Sequence, residues 1–217
     1  MKRSALLGSL LALSTLGIAQ TAHANLLMNG SFEEGAFSPT PEYMALNSGS
    51  SAITGWTVLT FPDGTNLLWG GPNSDGLTAS DGLLFLDLTG GLNHAPFSGV
   101  KQSISTIAGQ AYDLSFDLGS ATVYGRPSSI QATATGLAVV GTGLFSSSLT
   151  GGNNDYDHFT MRFVADSAST EISLLGAQGL NYIGLDNVAV NVVPVPASLW
   201  LLGPALCGLG LARRRAV

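Results

Sequence analysis

Apolar and polar residues alternate in short runs along most of this chain. The alternation is cleanest from Ala111 to Leu118, where Tyr112, Leu114, Phe116 and Leu118 share one face. The run from Phe159 to Val164 repeats it, with Phe159, Met161 and Phe163 opposite Thr160, Arg162 and Val164. A period of two marks a strand with one buried face. Further apolar-rich runs lie at 26–28, 56–61, 83–88, 100–104, 130–135, 137–140, 172–175 and 184–193. Gly, Ser, Thr and Asn separate them as turn residues, and no long helical pattern competes between 25 and 191. Many short strands between turns predict an all-β sandwich. Two stretches break the pattern. Residues 35–51 hold Pro39, Pro41 and Gly49, and residues 70–80 hold Gly70, Gly71, Pro72 and Gly76. Both read as long loops, which on a rigid sandwich carry function or serve as plain surface.

The two ends follow a different pattern. Lys2 and Arg3 precede an apolar stretch from Ala5 to Ala19, and Ala22-His23-Ala24 is a small-x-small cleavage site. This order predicts a signal peptide over 1–24, cut by signal peptidase to leave Asn25 first. Near the other end, Pro194-Val195-Pro196 is followed by an apolar run from Ala197 to Ala212 and then Arg213, Arg214 and Arg215. That order predicts a single membrane-entering helix, with the arginines held on the cytoplasmic side. The run falls short of the roughly 20 residues a comfortable span needs, and Gly203, Pro204, Gly208 and Gly210 interrupt it. It suits a temporary tether better than a lasting anchor. The chain thus divides into 1–24, an exported domain at 25–191, and a tail at 192–217.

Charge changes the picture once the ends are set aside. Five of the 8 Lys and Arg lie in the terminal segments, which leaves Lys101, Arg126 and Arg162 against all 14 Asp and Glu, near −11. Such a domain repels nucleic acid and suits a cation or a neutral glycan as partner. The one cysteine, Cys207, lies in the tail, so the exported domain has no disulfide. Its stability must come from its core, a metal, or both.

Catalytic patterns are weak. The exported domain has two histidines, His94 and His158, and it has no Gly-x-Ser-x-Gly elbow, His-x-x-x-His pair or Cys-x-x-Cys pair. Each histidine sits in a turn-like context and reads as a surface imidazole. Asp155 and Asp157 are the nearest carboxylate pair for glycoside hydrolysis, but sequence does not give the separation such chemistry requires. Asn153, Asp155 and Asp157 start an EF-hand spacing that fails at His158 and Val164. A non-catalytic protein is expected. For ligand contact, aromatic rings outside regular strands are the natural sugar platforms. Tyr43, Trp69 and Tyr124 are the candidates, each also readable as a packing residue, whereas Trp56 reads as core.

Two resemblances sharpen these expectations. The stretch from Val193 to Gly203, with Pro194-Val195-Pro196 and the terminal Arg213-Arg214-Arg215, resembles a PEP-CTERM sorting tail, with Val195 where the family name has Glu. The resemblance implies processing by an exosortase, a membrane protease/transpeptidase of Gram-negative bacteria that make exopolysaccharide. It also implies an inner-membrane tethered intermediate, then delivery to the cell surface or extracellular (biofilm) matrix. Within the exported domain, Asn25-Leu-Leu-Met-Asn-Gly-Ser-Phe-Glu33, Ile53-Thr-Gly-Trp56, Ser80-Asp-Gly82, Val100-Lys-Gln-Ser-Ile104, Ala108-Gly-Gln-Ala-Tyr-Asp-Leu-Ser-Phe116 and Gly184-Leu-Asp-Asn-Val-Ala-Val190 occur in order. This series resembles the galactose-binding-like jelly roll shared by carbohydrate-binding modules, and it implies binding of glycan or exopolysaccharide. It further implies a structural Ca2+ ligated by Glu33 and Asp186, with Asp81 assisting. Asp186 also interrupts the apolar stretch 183–190, where a buried unpaired carboxylate is costly. Facing solvent or capping a turn is the alternative for Asp186. Two other functions stay open, a polysaccharide-acting hydrolase and a purely structural matrix protein.

Overall fold

The computed structural model describes residues 24–39, 42–62, 64–72, 74–121, 128–147, 155–180 and 182–194. The expected signal segment up to His23, Tyr124, and the tail from Val195 onward with Pro196 and Arg213–Arg215 lie outside these residues. Ala24 and Pro194 are described, and both are exposed.

Eleven strands form two antiparallel sheets. They are β1 (Tyr43–Leu46), β2 (Thr57–Leu59), β3 (Leu67–Gly70), β4 (Phe85–Asp87), β5 (Gly99–Ser105), β6 (Ala111–Ser120), β7 (Ser129–Thr135), β8 (Val139–Ser146), β9 (Asp155–Val164), β10 (Ser169–Gln178) and β11 (Gly184–Val192). The six-stranded sheet runs β1-β3-β4-β11-β6-β9, and the five-stranded sheet runs β2-β5-β10-β7-β8. The core lies between them. Tyr112, Leu114, Phe116 and Leu118 of β6 and Met161 and Phe163 of β9 meet Val100 and Ile104 of β5, Ile130 of β7, and Ile172 and Leu174 of β10. The alternation in β6 and β9 therefore faces the direction its period demands.

Three expectations about elements need correction. Residues 26–28 form no strand. Residues 35–51 are not wholly loop, because β1 lies within them. Strand β3 was not expected at all, since Leu67, Trp69 and Gly70 are buried and Leu68 is half-buried, so no alternation remains to be read. Trp69 consequently belongs to the core and not to a sugar platform. It is 0% exposed, donates its indole N–H to the Phe32 carbonyl at 3.2 Å, and meets the Phe37 ring edge-on at 4.9 Å between centroids. Trp56 is buried as expected and donates to the Asn29 carbonyl at 2.9 Å.

The opening segment of the domain clamps the two sheets together instead of extending one of them. Asn25 donates to the Val188 carbonyl at 3.0 Å and accepts from the Val190 N–H at 2.9 Å, both on β11. Met28 exchanges two bonds with the Gln102 side chain on β5 of the other sheet, at 2.7 and 3.0 Å. Gly30 accepts from the Val188 N–H at 2.8 Å and packs so closely that a Cβ there would lie 1.8 Å from the Val188 carbonyl oxygen. Only glycine fits this approach. The Asn-Gly pair thus reflects contact with β11, and Asn29 takes the positive φ of 55° beside it.

The core position of Trp69 gives a direct test. Trp69→Ala should destabilise the fold by about 3–5 kcal/mol, the range for emptying a buried tryptophan site. Denaturant unfolding of the variant beside the parent protein measures it.

Candidate functional site

The outer face of the six-stranded sheet is partly covered by a strap between β3 and β4, described at residues 71–72 and 74–84. Its Leu77 packs on Phe85, Ala121 and Tyr182 in a second small apolar cluster, flanked by Tyr43 and Ala79. Tyr182 is buried where two glycines leave room for its hydroxyl. Gly119 and Gly184 pair across β6 and β11, and a Cβ on either would lie 2.8 or 2.2 Å from the Tyr182 hydroxyl.

Carboxylates fix the strap at both ends of one turn. Asp186, fully buried on β11, accepts from the N–H groups of Ser80 (2.7 Å) and Asp81 (2.9 Å) and from the Ser80 hydroxyl (3.2 Å) on Oδ2. Its Oδ1 accepts from the Asn187 N–H at 2.7 Å. Glu33 Oε1 accepts from the N–H groups of Leu83 (2.8 Å) and Leu84 (2.6 Å). Of the residues expected to ligate calcium, Glu33 and Asp186 reach the turn at 80–84 through their carboxylates, and Asp81 lies within that turn. The residues do not fit a calcium ion joining them. N–H donors point at the carboxylate oxygens that an ion would need, and Asp81 contributes its backbone N–H while its side chain is exposed. Among the described residues no group of three or more His, Cys, Asp or Glu side chains is placed to hold a metal.

Beside Asp186 the register sets Asp117 of β6 and then His158 of β9. Asp117 accepts from the Ser80 hydroxyl (2.8 Å), from Asn187 (3.0 Å) and pairs with His158 Nδ1 at 2.6 Å. The His158 ring is a surface imidazole as expected, but a carboxylate orients it. Sequence reasoning missed this row because it joins three strands that are far apart in the chain.

A pocket of about 330 Å³ opens on the same outer face. Strands β1, β3 and β4 supply Tyr43, Leu68 and Asp87. The strap supplies Asp75 and Leu77, and the turn after β4 supplies Gly90, Gly91 and Asn93. Of the two described aromatic candidates, Tyr43 and Trp69, Tyr43 lines this pocket. Its ring meets Phe85 edge-on, 6.4 Å between centroids. Asp87 is the residue the sequence reading overlooked. It is 4% exposed, and all its hydrogen bonds from described residues fall on Oδ1, from Thr89 N–H (2.9 Å), Thr89 Oγ1 (2.8 Å) and Ile183 N–H (3.2 Å). Burial pushes its carboxyl up to about 7 against the pull of these donors, and the charge of Asp75 adds to the rise. Burial likewise raises Asp186 to about 7, opposed by the N–H groups of Asp81, Asn187 and Ser80 and by the Ser80 hydroxyl.

Two antiparallel sheets carrying a pocket on an outer face define a β-sandwich of the kind found in carbohydrate-binding modules. The chain belongs to the family described as Protein of unknown function (DUF642), whose sequence profile matches residues 25–190. No curated protein matches it. Among solved structures it is similar to TmCBM61 in complex with β-1,4-galactotriose, at 16% identity and a TM-score of 0.51, covering 78% of this chain and 99% of that one. Lower-scoring likenesses include a CBM4 structure (16% identity, TM-score 0.42, 77% of this chain and 99% of that one). Another is the CBM22-1 xylan-binding domain of Xyn10C from Paenibacillus barcinonensis (12% identity, TM-score 0.43, 70% and 94%). At 16% identity the likeness to TmCBM61 shows the fold alone.

The two buried aspartates predict an unusual pH dependence. Each carboxyl titrates near 7 in the fold against 3.8 in the open chain. Between those values the fold binds the extra proton, so stability falls as pH rises, by up to about 1.4 kcal/mol per pH unit per group. Melting temperature should therefore drop from pH 5 to pH 8 at constant ionic strength. Asp87→Asn, whose carboxamide oxygen keeps the Thr89 and Ile183 donors, should reduce the slope. A melting temperature that climbs over this range contradicts the assignment.

Proposed function

We propose that this protein is an exported, non-catalytic glycan-binding protein of the cell surface or extracellular matrix. The observation that carries the reading is the pocket beside β1, β3 and β4. It offers a tyrosine ring for the apolar face of a sugar, and an asparagine amide and carboxylates for its hydroxyls. The shared fold with a module crystallised on a galactan trisaccharide supports the same ligand class.

Export and sorting complete the reading. Signal peptidase cuts after Ala24 and exposes Asn25, the residue that starts the clamp on β11. Strand β11 ends at Val192, two residues before Pro194, so the sorting tail follows the domain directly. An exosortase then handles Pro194-Val195-Pro196 and the segment beyond it, after the tail has tethered the domain at the inner membrane.

One observation favours a hydrolase as a second reading. Asp87, whose carboxyl burial raises to about 7, shares its pocket with a second carboxylate, Asp75, and such a pair is the chemical requirement of glycoside cleavage. Against it, Asp87 is tied through Oδ1 to Thr89 and Ile183. Incubation with polysaccharides separates the two: retention without new reducing ends fits binding, and product release that Asp87→Asn abolishes fits the enzyme.

Two predictions follow from the main reading. Tyr43→Ala should weaken retention on the glycan about 2–13-fold, the equivalent of about 0.5–1.5 kcal/mol for an aromatic contact, while the cooperative unfolding transition persists. Affinity electrophoresis in polysaccharide gels reads the first and thermal melting the second. Deleting residues 194–217 should convert the surface-held protein into one released to the medium, as followed by cell fractionation. Retention equal to that of the intact chain would show that the tail is not a sorting signal.

A further inference from the structure

The end of the sandwich where β11 stops carries an apolar rim that glycan binding does not use. Three turns meet there, 106–110 after β5, 136–138 after β7 and 165–168 after β9. Hydrogen bonds tie them together. The Thr106 N–H donates to the Ala168 carbonyl at 3.0 Å and the Gly109 N–H to the Ala165 carbonyl at 2.7 Å. The N–H groups of Leu137 and Ala138 each donate to the Asp166 carboxylate at 2.9 Å. Large apolar side chains face outward from this braced rim. Leu137 is 86% exposed and Ile107 69%, and Val139 and Val164 are exposed beside the turns. Asp166 is the one charged residue in the three turns. On the flanking strands Asp113 and Glu171 pair with Arg162 and Lys101.

Both described ends of the chain reach this rim. The Val193 N–H donates to the Ala111 carbonyl at 2.9 Å, and the Val193 carbonyl accepts from Gln110 Nε2 at 3.0 Å. Pro194 therefore leaves the fold beside the turn 106–110. At the other terminus the Leu26 N–H donates to the Val190 carbonyl, close to the end of β11, at 2.9 Å. The apolar run expected to enter the membrane starts at Ala197, three residues after Pro194. Three extended residues span at most about 11 Å, and the headgroup layer on each side of a bilayer is about 5–8 Å deep. A domain tethered so closely has this rim against the headgroups.

We propose that the rim of Ile107, Leu137, Val139 and Val164 docks on the lipid bilayer while the tail is inserted, and so holds Pro194-Val195-Pro196 at the membrane surface. This rests on the sorting-tail reading. Exposed apolar side chains on a braced edge gain by entering the headgroup region. An anionic leaflet repels carboxylates, and the one in these turns is already bonded to two N–H groups. A second copy of the chain is the competing occupant. Four side chains of this size fall short of the roughly 800 Å² per partner of a stable interface. Two domains that each carry 14 acids against three Lys and Arg over residues 25–191 also repel one another.

The test uses the chain exported with its own signal segment in a host that lacks an exosortase. The protein is purified from the membrane fraction and reconstituted in vesicles of phosphatidylethanolamine and phosphatidylglycerol. Cys207→Ser removes the native thiol, and a nitroxide spin label is attached at Leu137→Cys, Ile107→Cys or Leu180→Cys. Leu180, also exposed, lies in the turn after β10 at the opposite end of the sandwich. Collision rates with oxygen, which concentrates in lipid, and with a water-soluble nickel chelate report depth. The oxygen-to-nickel ratio should be several-fold higher at Leu137 and Ile107 than at Leu180. In the Ile107→Ser, Leu137→Ser chain, a label at Val139→Cys should fall to the Leu180 ratio. Thermal melting checks each variant, and the two rim positions are independent, so a folding failure at one leaves the other as the test. Equal ratios at all three positions in a chain that stays with the vesicles overturn the docking and leave the tail reading standing. A chain absent from the membrane fraction overturns both. Spin–spin broadening at Leu137 that survives dilution with lipid assigns the rim to a second copy and overturns the lipid assignment.

Discussion

The constraint on which this structure depends is a shortage of positive charge. Residues 25–191 carry 14 acids against three Lys and Arg. Among the described residues two of those cations are already paired, Lys101 with Glu171 and Arg162 with Asp113. Most carboxylates must therefore find other donors, and the abundant ones are backbone N–H groups of turns. Asp186 takes Ser80 and Asp81, Glu33 takes Leu83 and Leu84, Glu42 takes Asp75, and Asp166 takes Leu137 and Ala138. Each such bond satisfies an acid and fixes a loop at once, and charge-assisted bonds are stronger than neutral ones. At Asp166 the two N–H donors also hold the carboxyl below its ordinary value.

The strap over the six-stranded sheet follows from this arrangement. With one end of its turn held by Asp186 and the other by Glu33, the strap lies against the sheet and brings Leu77 into contact with Phe85 and Tyr182. The same placement sets Asp75 opposite Tyr43 and Asp87, and so makes the pocket. Stability and function compete there. Asp87 and Asp186 are buried with carboxyls raised to about 7, so their charged forms cost folding free energy. Such sites are where perturbed acids are expected to be useful.

Much of the fold was legible in the sequence, and the reasons for the gaps are physical. Strands with one buried face, β6 and β9 above all, alternate and were readable. Strand β3 is closed in by β1, β4 and the core, so Leu67-Leu68-Trp69-Gly70 carries no period, and the Gly70-Gly71-Pro72 turn beside it made Trp69 look like a loop residue. Residues 26–28 looked like a strand because they are apolar, yet the polar residues around them hold the chain by side-chain bonds, from Asn25 to β11 and from Gln102 of the other sheet to Met28. At the site, the convergence of Glu33, Asp81 and Asp186 was visible, but their partner was not. N–H groups answer carboxylates as well as a cation does, and sequence spacing does not distinguish the two. Tyr43 was singled out for its ring as a residue outside regular strands, but it opens β1, whose four residues are too few to show a period. Asp87 was missed although it carries the same signal as Asp186, a carboxylate inside an apolar run, here Leu83 to Leu88. Asn93 and the two glycines beside it join the pocket only through the turn after β4, which no local pattern specifies.

The account's central claim is that glycan binds in the pocket shaped by the strap. Amide chemical-shift mapping of the isotope-labelled protein during titration with an oligosaccharide tests this most directly. Shifts should concentrate at Tyr43, Asp75, Asp87, Gly90, Gly91 and Asn93. Shifts confined to the outer face of the five-stranded sheet, at Gln131, Thr133 and Ser173, with the pocket amides unmoved, would contradict it.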